Sequence, residues 1–355
     1  MTDLLYCEVE EELRASVRAL LRDRVDLSRV EGPEPVDLKL WRTLAADLGC
    51  AGLPVAEEDG GAGATWRETA VVMEELGRAV APVPFLGSAV LATAALPAGD
   101  PLLAELASGA RSAALAVPMS TGPASTGNGP RWTVSACDGR LDGEVTTVAD
   151  ALTAHVLLVP TAEGLFAVEG TAAVRAAVVS FDLTRPLADL AFRGAPGRLV
   201  AGDAGPLVAR ALVTGAALLA SEQLGIAEWC LETTVEYVKT RRQFARQIGS
   251  YQAVKHRLAD LWVSITQARA VARYAADCLA TDDPDLPVAA SLAQAFCSPV
   301  AVRAAEECVQ LHGGIGFTWE HPAHWRLKRA RANATALGSA TRHRALLAEL
   351  VNLPA

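Results

Sequence analysis

The chain has 355 residues, 51% of them hydrophobic and 21% charged, which suits a water-facing protein with a large core. A net charge of −9 and a pI near 5.3 exclude nucleic acid as the main partner, because phosphate binding needs a surplus of Lys and Arg. Aromatics make up only 5%, so Ala, Leu and Val must fill the core, a composition that favours helix packing over an all-β sandwich.

Residues 1–110 read as helices joined by short loops. The N-terminal stretch is acidic and lacks a basic segment followed by a long apolar run, so it reads as a helix and not as a secretion signal. Leu13, Val17, Leu20 and Leu21 recur at helical spacing, as do Leu40, Leu44 and Leu48. A Gly-rich loop follows at Glu58–Gly63. A helix is then predicted over Thr69–Val80, stopping at Pro82 and Pro84.

Residues 111–202 change texture. AALAVP, WTVSA, HVLLVPT, LFAVEG and AAVVSF are short β-rich runs separated by Gly, Pro, Ser and Asp, which predicts a small antiparallel sheet. Trp132 is expected in the core of that sheet. Ser120–Pro130 is a loop.

Residues 203–355 return to helix. Leu212, Leu219, Ile226 and Cys230 mark one apolar stripe, and Val254, Leu258, Leu261, Ile265, Ala268 and Ala272 mark the next. A third helix is predicted from about Val288 to Leu311, with Pro299 kinking or breaking it. The apolar runs at 211–220 and 286–297 are too short or too interrupted to span a bilayer, so no membrane insertion is expected. Seven scattered cysteines without a CxxC pair point to a reducing, cytoplasmic compartment and no disulfide framework. His312, His321 and His324 lack the spacing and companions of a metal site, and structural or interface roles are expected of them.

Two C-terminal stretches carry more information. One runs Thr240-Arg241-Arg242-Gln243-Phe244-Ala245-Arg246-Gln247-Ile248-Gly249-Ser250-Tyr251-Gln252. The other runs Val309-Gln310-Leu311-His312-Gly313-Gly314-Ile315-Gly316-Phe317-Thr318-Trp319-Glu320-His321-Pro322. Both resemble signature segments of the acyl-CoA dehydrogenase family. So do Glu57–Gly63, Glu74-Glu75-Leu76-Gly77-Arg78 and Phe181-Asp182-Leu183-Thr184-Arg185. The resemblance covers nearly the whole chain. It implies the family's α+β fold: an N-terminal α-helical domain (1–110), a middle β-domain (111–202) and a C-terminal four-helix bundle (203–355).

The resemblance also implies FAD as cofactor, lying across a subunit interface. Arg241 would bind the pyrophosphate, whose charge a guanidinium matches. Phe244 would pack along the cofactor and Gln252 would bond near the adenosine end. Gln310 and Gly314 match two further contacts, Gly314 because backbone must approach closely there. The flavin-ring side is different. Family members carry a Thr-Glu…Gly-Ser-Asp stretch and a Trp-Ile-Thr/Ser stretch, whereas Ala114–Pro123 and Leu141–Asp150 match neither.

The family reaction removes an α-proton from an acyl-CoA thioester and passes a β-hydride to the flavin, which demands a positioned carboxylate base. Most members place it seventeen residues beyond the Glu-x-Pro motif, which starts here at Glu320; that position is Leu337. Others place it on the first long C-terminal helix, where alignment on Leu224-Gly225 gives Gly215. Neither can accept a proton. Glu222 is the remaining carboxylate candidate on that helix. The leading expectation is therefore a partner subunit of a heteromeric α2β2 enzyme, a form known among actinobacterial members that include steroid side-chain enzymes. It would supply adenosine-side contacts to a second subunit carrying the base, through which the complex meets its acyl-CoA. The alternatives are a self-sufficient homotetramer with a displaced base, and a non-enzymatic scaffold on the same fold.

Overall fold

Helix α1 (Glu8–Arg24) starts where the Glu10 carboxylate reaches back to accept from the Cys7 backbone N–H at 2.7 Å, with three acidic residues in its first turn. The computed structural model describes residues 4–32, 34–124 and 131–353; part of the loop predicted at 120–130 therefore lies outside the described residues. After a short helix α2 (Leu38–Arg42), helix α3 (Trp66–Ala79) begins with a capping box between Thr65 and Glu68. It ends where expected, Val80 taking a left-handed conformation (φ +54°) ahead of Pro82 and Pro84. Helix α4 (Leu86–Ala95) and the short α5 (Leu102–Ala107) complete this part.

Seven strands follow: β1 (Ala113–Leu115), β2 (Val134–Cys137), β3 (Arg140–Ala149), β4 (Val156–Thr161), β5 (Gly164–Glu169), β6 (Val174–Val178) and β7 (Leu187–Ala201). Their order is β1-β4-β5-β7-β3-β2, with β6 on the free side of β7. The sheet is not wholly antiparallel as expected, because β1 pairs with β4 in parallel. Four buried residues of β1 and β4 place this edge in the large helical core: Ala113, Leu115, Val156 and Leu158. The longest strand, β7, has no counterpart in the sequence reading, since Gly194, Pro196 and Gly197 interrupt its pattern. These residues let it pair with β3 and β6 in its first half and with β5 in its second. Trp132 precedes β2 and is only half-buried; it lines a cavity of about 230 Å³ with Thr133, Glu144 and Thr146 and does not sit in the sheet core as expected.

Three long helices close the chain: α6 (Gly205–Thr240), α7 (Gln252–Ala280) and α8 (Leu286–His312). The fourth place in the bundle is taken by two shorter pieces, α9 (Ala323–Asn333) and α10 (Ala340–Leu350). Helix α8 passes through Pro299 as one helix, so of the kink or break predicted there the break does not occur. The proline removes the N–H that would bond to the Ala295 carbonyl, and the Arg344 guanidinium of α10 donates to that carbonyl at 3.4 Å. By length and composition, Gly205–Thr240 and Leu286–Phe317 could each cross a bilayer, contrary to the reading of the shorter runs. Their apolar windows are 78% and 67% buried inside the protein, which marks them as core helices here.

Helices α3 and α6 meet backbone to backbone. A Cβ at Gly225 would lie 1.9 Å from the Glu74 carbonyl oxygen, and one at Gly77 would lie 2.1 Å from that of Glu222. Gly77 belongs to a stretch that carried the resemblance, and Gly225 to the Leu224-Gly225 pair on which the base position was aligned. Gly225→Ala is expected to force the helices apart and to lower stability by about 1–3 kcal/mol or more. Thermal unfolding followed by circular dichroism checks this against Gly202→Ala, where the new methyl meets nothing within 4 Å.

Candidate functional site

Helices α6 and α8 run side by side in the same direction. Gln294 Nε2 donates to the Ala216 carbonyl at one end, and Tyr237 stacks on His312 at the other, ring centroids 4.3 Å apart. Helix α7 runs back between them, with the Cys297 thiol bonded to the Ala268 carbonyl and Arg257 paired to Glu307. The end of α6, the start of α7 and the end of α8 thus lie at one end of the bundle. Arg241 directly follows α6, Gln252 is the first residue of α7, Gln310 lies in the last turn of α8, and Gly314 sits two residues beyond α8. All four are exposed, and Phe244 is 89% exposed.

Between α6 and α7 the chain makes a two-strand hairpin, β8 (Arg242–Gln243) against β9 (Arg246–Gln247). Its two turn residues, Phe244 and Ala245, both have positive φ, +49° and +63°. A turn of this hand normally takes Asn-Gly, and each non-glycine residue there costs about 1–2 kcal/mol. The turn holds Phe244 out from the protein at that cost. Arg246 folds back onto the Tyr251 ring at 3.7 Å and Lys239 pairs with Glu236 at 2.7 Å. The Arg241 guanidinium has no partner among the described residues. A Cβ on Gly314 would meet nothing within 4 Å, so the surface there is open. Positive φ falls on Gly313 instead, at the helix end, and the tight packing falls on Gly316, where a Cβ would lie 2.5 Å from the Val309 carbonyl oxygen. His312 is buried, stacks on Tyr237 and packs at a tilt against His321, which accounts for two of the three histidines. His324 packs against Trp319 and Trp325. Among the described residues no three His, Cys, Asp or Glu side chains group as a metal site.

The second centre lies between the sheet and the bundle. Backbone bonds tie three remote segments together: the Met119 N–H donates to Thr147 O (3.0 Å), and the Leu337 N–H donates to Met119 O (2.8 Å). These segments are the two strand regions that lack the flavin-ring sequences and the position seventeen residues past Glu320. Gly215 is there too. A Cβ on it would lie 2.5 Å from Leu91 Cδ2 and 2.9 Å from Leu337 Cδ1. The two positions that the resemblance marks for the base therefore face each other, and leucine side chains fill the space between them. Leu337 is 1% exposed and has φ +52°, a strained conformation followed by Gly338 at φ +98°. Beside this plug is an open cavity of about 460 Å³, lined by Met119, Thr147, Asp182, Arg185, Asn333 and Ala336 among others.

Glu222 sits behind the plug, 1% exposed. Its carboxylate accepts from Arg185 Nη2 at 2.5 Å, Arg329 Nη1 at 3.0 Å and Asn333 Nδ2 at 2.9 Å. Arg329 also pairs with Asp182 at 2.5 Å and donates to Thr184 Oγ1 at 2.7 Å, while Arg185 donates to Asn333 Oδ1 at 2.8 Å. Two guanidinium groups thus balance two carboxylates in a closed, buried network. Burial alone would raise the Glu222 carboxyl, but Arg185 and Arg329 overcome it and hold the group at about 2. It is ionised, yet its oxygens are committed to cations. The sequence named Glu222, Asp182 and Arg185 but not Arg329 or Asn333, which join them from α9 more than a hundred residues away.

Residues 205–351 match the family described as acyl-CoA dehydrogenase, C-terminal domain, and residues 8–102 match acyl-CoA dehydrogenase, N-terminal domain. The acyl-CoA dehydrogenase IpdE2 of Mycobacterium tuberculosis is 38% identical over 308 residues, which span 85% of this chain and 83% of that relative. IpdE2 of Mycolicibacterium smegmatis is 38% identical over 337 residues, 93% of this chain and 95% of the relative. Among solved structures, the ChsE4–ChsE5 complex from Mycobacterium tuberculosis contains a chain that superimposes with a TM-score of 0.85 at 29% identity, covering 100% of both chains.

Proposed function

The chain belongs to the acyl-CoA dehydrogenase family, and we propose that it works as the subunit of a heteromeric acyl-CoA dehydrogenase that holds FAD at its adenosine and pyrophosphate side without carrying the catalytic base. FAD is the family's cofactor and supplies the hydride acceptor when bound. At the bundle end, Arg241 neutralises the pyrophosphate, Phe244 covers the cofactor, and Gln252, Gln310 and the open backbone at Gly314 complete the cradle. The residues there suit the group: exposed, convergent and unobstructed. At the second centre they do not suit a flavin ring and base of this chain's own, and no step is assigned to it.

The observation that carries this reading is the packing of Leu337 and Leu91 against Gly215. An α-proton needs a free carboxylate within reach, and both family positions for it are apolar and closed. Glu222 does not replace them, being enclosed by Arg185 and Arg329. The partner's chemistry follows: it is a subunit of the same fold that brings the carboxylate and the flavin-ring contacts. The ChsE4–ChsE5 complex, a two-component assembly by its name, lends this support by analogy.

Co-expression with a base-carrying acyl-CoA dehydrogenase subunit tests the reading. One FAD per heterodimer is expected, with acyl-CoA turnover only in the complex. Stoichiometric FAD and turnover in the purified chain alone would sink it.

A further inference from the structure

Away from both centres, a cavity of about 360 Å³ opens between α1, α3, α6 and α9. Its walls mix apolar and basic groups: Leu21, Val25 and Trp229 on one hand, Arg18, Arg78 and Arg326 on the other. Four arginines line it in all, with Arg22 at the rim, against one carboxylate, Glu75.

Three of these arginines have carboxylate partners. Arg18 grips Glu75 with bonds of 2.8 and 2.6 Å, Arg78 pairs with Glu228 and Glu232, and Arg22 pairs with Asp23 at 3.3 Å. Arg326 has none among the described residues. It is 6% exposed, its Nη2 donates to the Arg78 carbonyl at 2.7 Å, its Nη1 donates to the Pro322 carbonyl at 3.4 Å, and its Nε is buried without a partner. The guanidinium lies over the Trp229 ring at 3.9 Å. A buried cation bonded only to carbonyls and laid over a ring, with the Cys230 and Cys308 thiols nearby and no paired carboxylate, has not recovered the hydration it lost. Burial accordingly pushes Arg326 down to about 10. Each Nη carries two N–H groups, so donors remain beyond the two bonds formed.

We propose that this cavity is a binding site for a small carboxylate with an apolar body, its carboxylate paired to Arg326 and its body against Trp229, Leu21 and Val25. The cavity falls in the size range of small-molecule sites. The unmatched charge selects an anion, and the apolar wall selects an organic acid over a bare inorganic ion. The site is separate from the cofactor cradle, and the proposal stands independently of the heteromer reading.

Calorimetric titration of the full-length chain with octanoate, 1-octanol and inorganic phosphate tests it. Octanoate is expected to bind saturably, and 1-octanol and phosphate at least tenfold more weakly. Arg326→Met is expected to raise the octanoate Kd about tenfold or more, since a charge-assisted pair is lost. The same variant should keep or raise the melting temperature, because removing a buried charge that has no carboxylate partner offsets the loss of its two bonds to backbone carbonyls. Absence of saturable octanoate binding, equal binding of 1-octanol, equal binding of phosphate, or an unchanged Kd in Arg326→Met would each overturn the proposal. The 1-octanol and phosphate titrations use the unmodified chain, so the proposal can fail even if the variant does not fold.

Discussion

A complex built with Arg241→Ala is expected to lose FAD affinity by roughly ten- to a hundred-fold, with little change in the fold of the chain. The magnitude follows from the chemistry of the contact. A guanidinium bonded to a pyrophosphate contributes about 1.5–3 kcal/mol, and removing it leaves phosphate charge facing an apolar methyl. The fold is spared because Arg241 is exposed and its side chain has no partner among the described residues; only its backbone is used, donating to Tyr237 O and accepting from Ile248 N–H. Surface changes of that kind shift stability by about 0.5 kcal/mol or less. Arg241→Lys should fall between the two, keeping the charge and losing the planar fork. Flavin absorbance per protein after gel filtration reads the effect, with circular dichroism as the control for fold. Unchanged flavin content in Arg241→Ala would favour a scaffold protein that shares the fold and not the cofactor.

The proposed cradle can be read from the sequence because it is local. Arg241, Phe244 and Gln252 lie within one turn-and-helix-start, and Gln310 and Gly314 within another, so their pattern survives without knowledge of the fold. The plugged centre was legible as positions, since counting from Glu320 reaches Leu337 and aligning on Leu224-Gly225 reaches Gly215. That the two positions touch was not legible; nothing in the chain pattern says that Leu337 Cδ1 fills the space above Gly215. The same limit explains the misses. Strand β7 owes its shape to Gly194, Pro196 and Gly197, which on sequence alone break a strand. The parallel pairing of β1 with β4 joins Ala113 to Val156 through a long connection. Pro299 stays inside α8 because the orphaned Ala295 carbonyl is served by an arginine on another helix. Each miss is a tertiary contact overriding a local rule.

Glu222→Ala is expected to cost about 3–5 kcal/mol of stability at neutral pH, the largest stability effect foreseen for a single side chain here. The native carboxylate is 1% exposed and faces Arg185 and Arg329, themselves buried. Removing it leaves Arg329 with Asp182 and leaves Arg185 bonded to Asn333, so one guanidinium stays buried without a paired carboxylate. The pH dependence has a definite sign. The folded-state value is held at about 2, below the ordinary carboxylate range of the unfolded chain, so the stabilisation is complete above the unfolded value. It declines as pH falls below about 5 and is lost as pH passes through the folded value. The gap between wild type and Glu222→Ala, measured by chemical denaturation, should therefore be wide at pH 7 and narrow steadily on acidification. A gap that stays constant down to pH 3 would mean the carboxylate is not ionised within the pair. The same variant separates structure from chemistry. If Glu222 were a displaced base, Glu222→Gln would abolish turnover in the chain by itself while leaving stability nearly untouched. With the carboxylate serving the two arginines, Glu222→Gln should instead lower stability measurably, and on the proposed reading no turnover is expected of the chain without its partner.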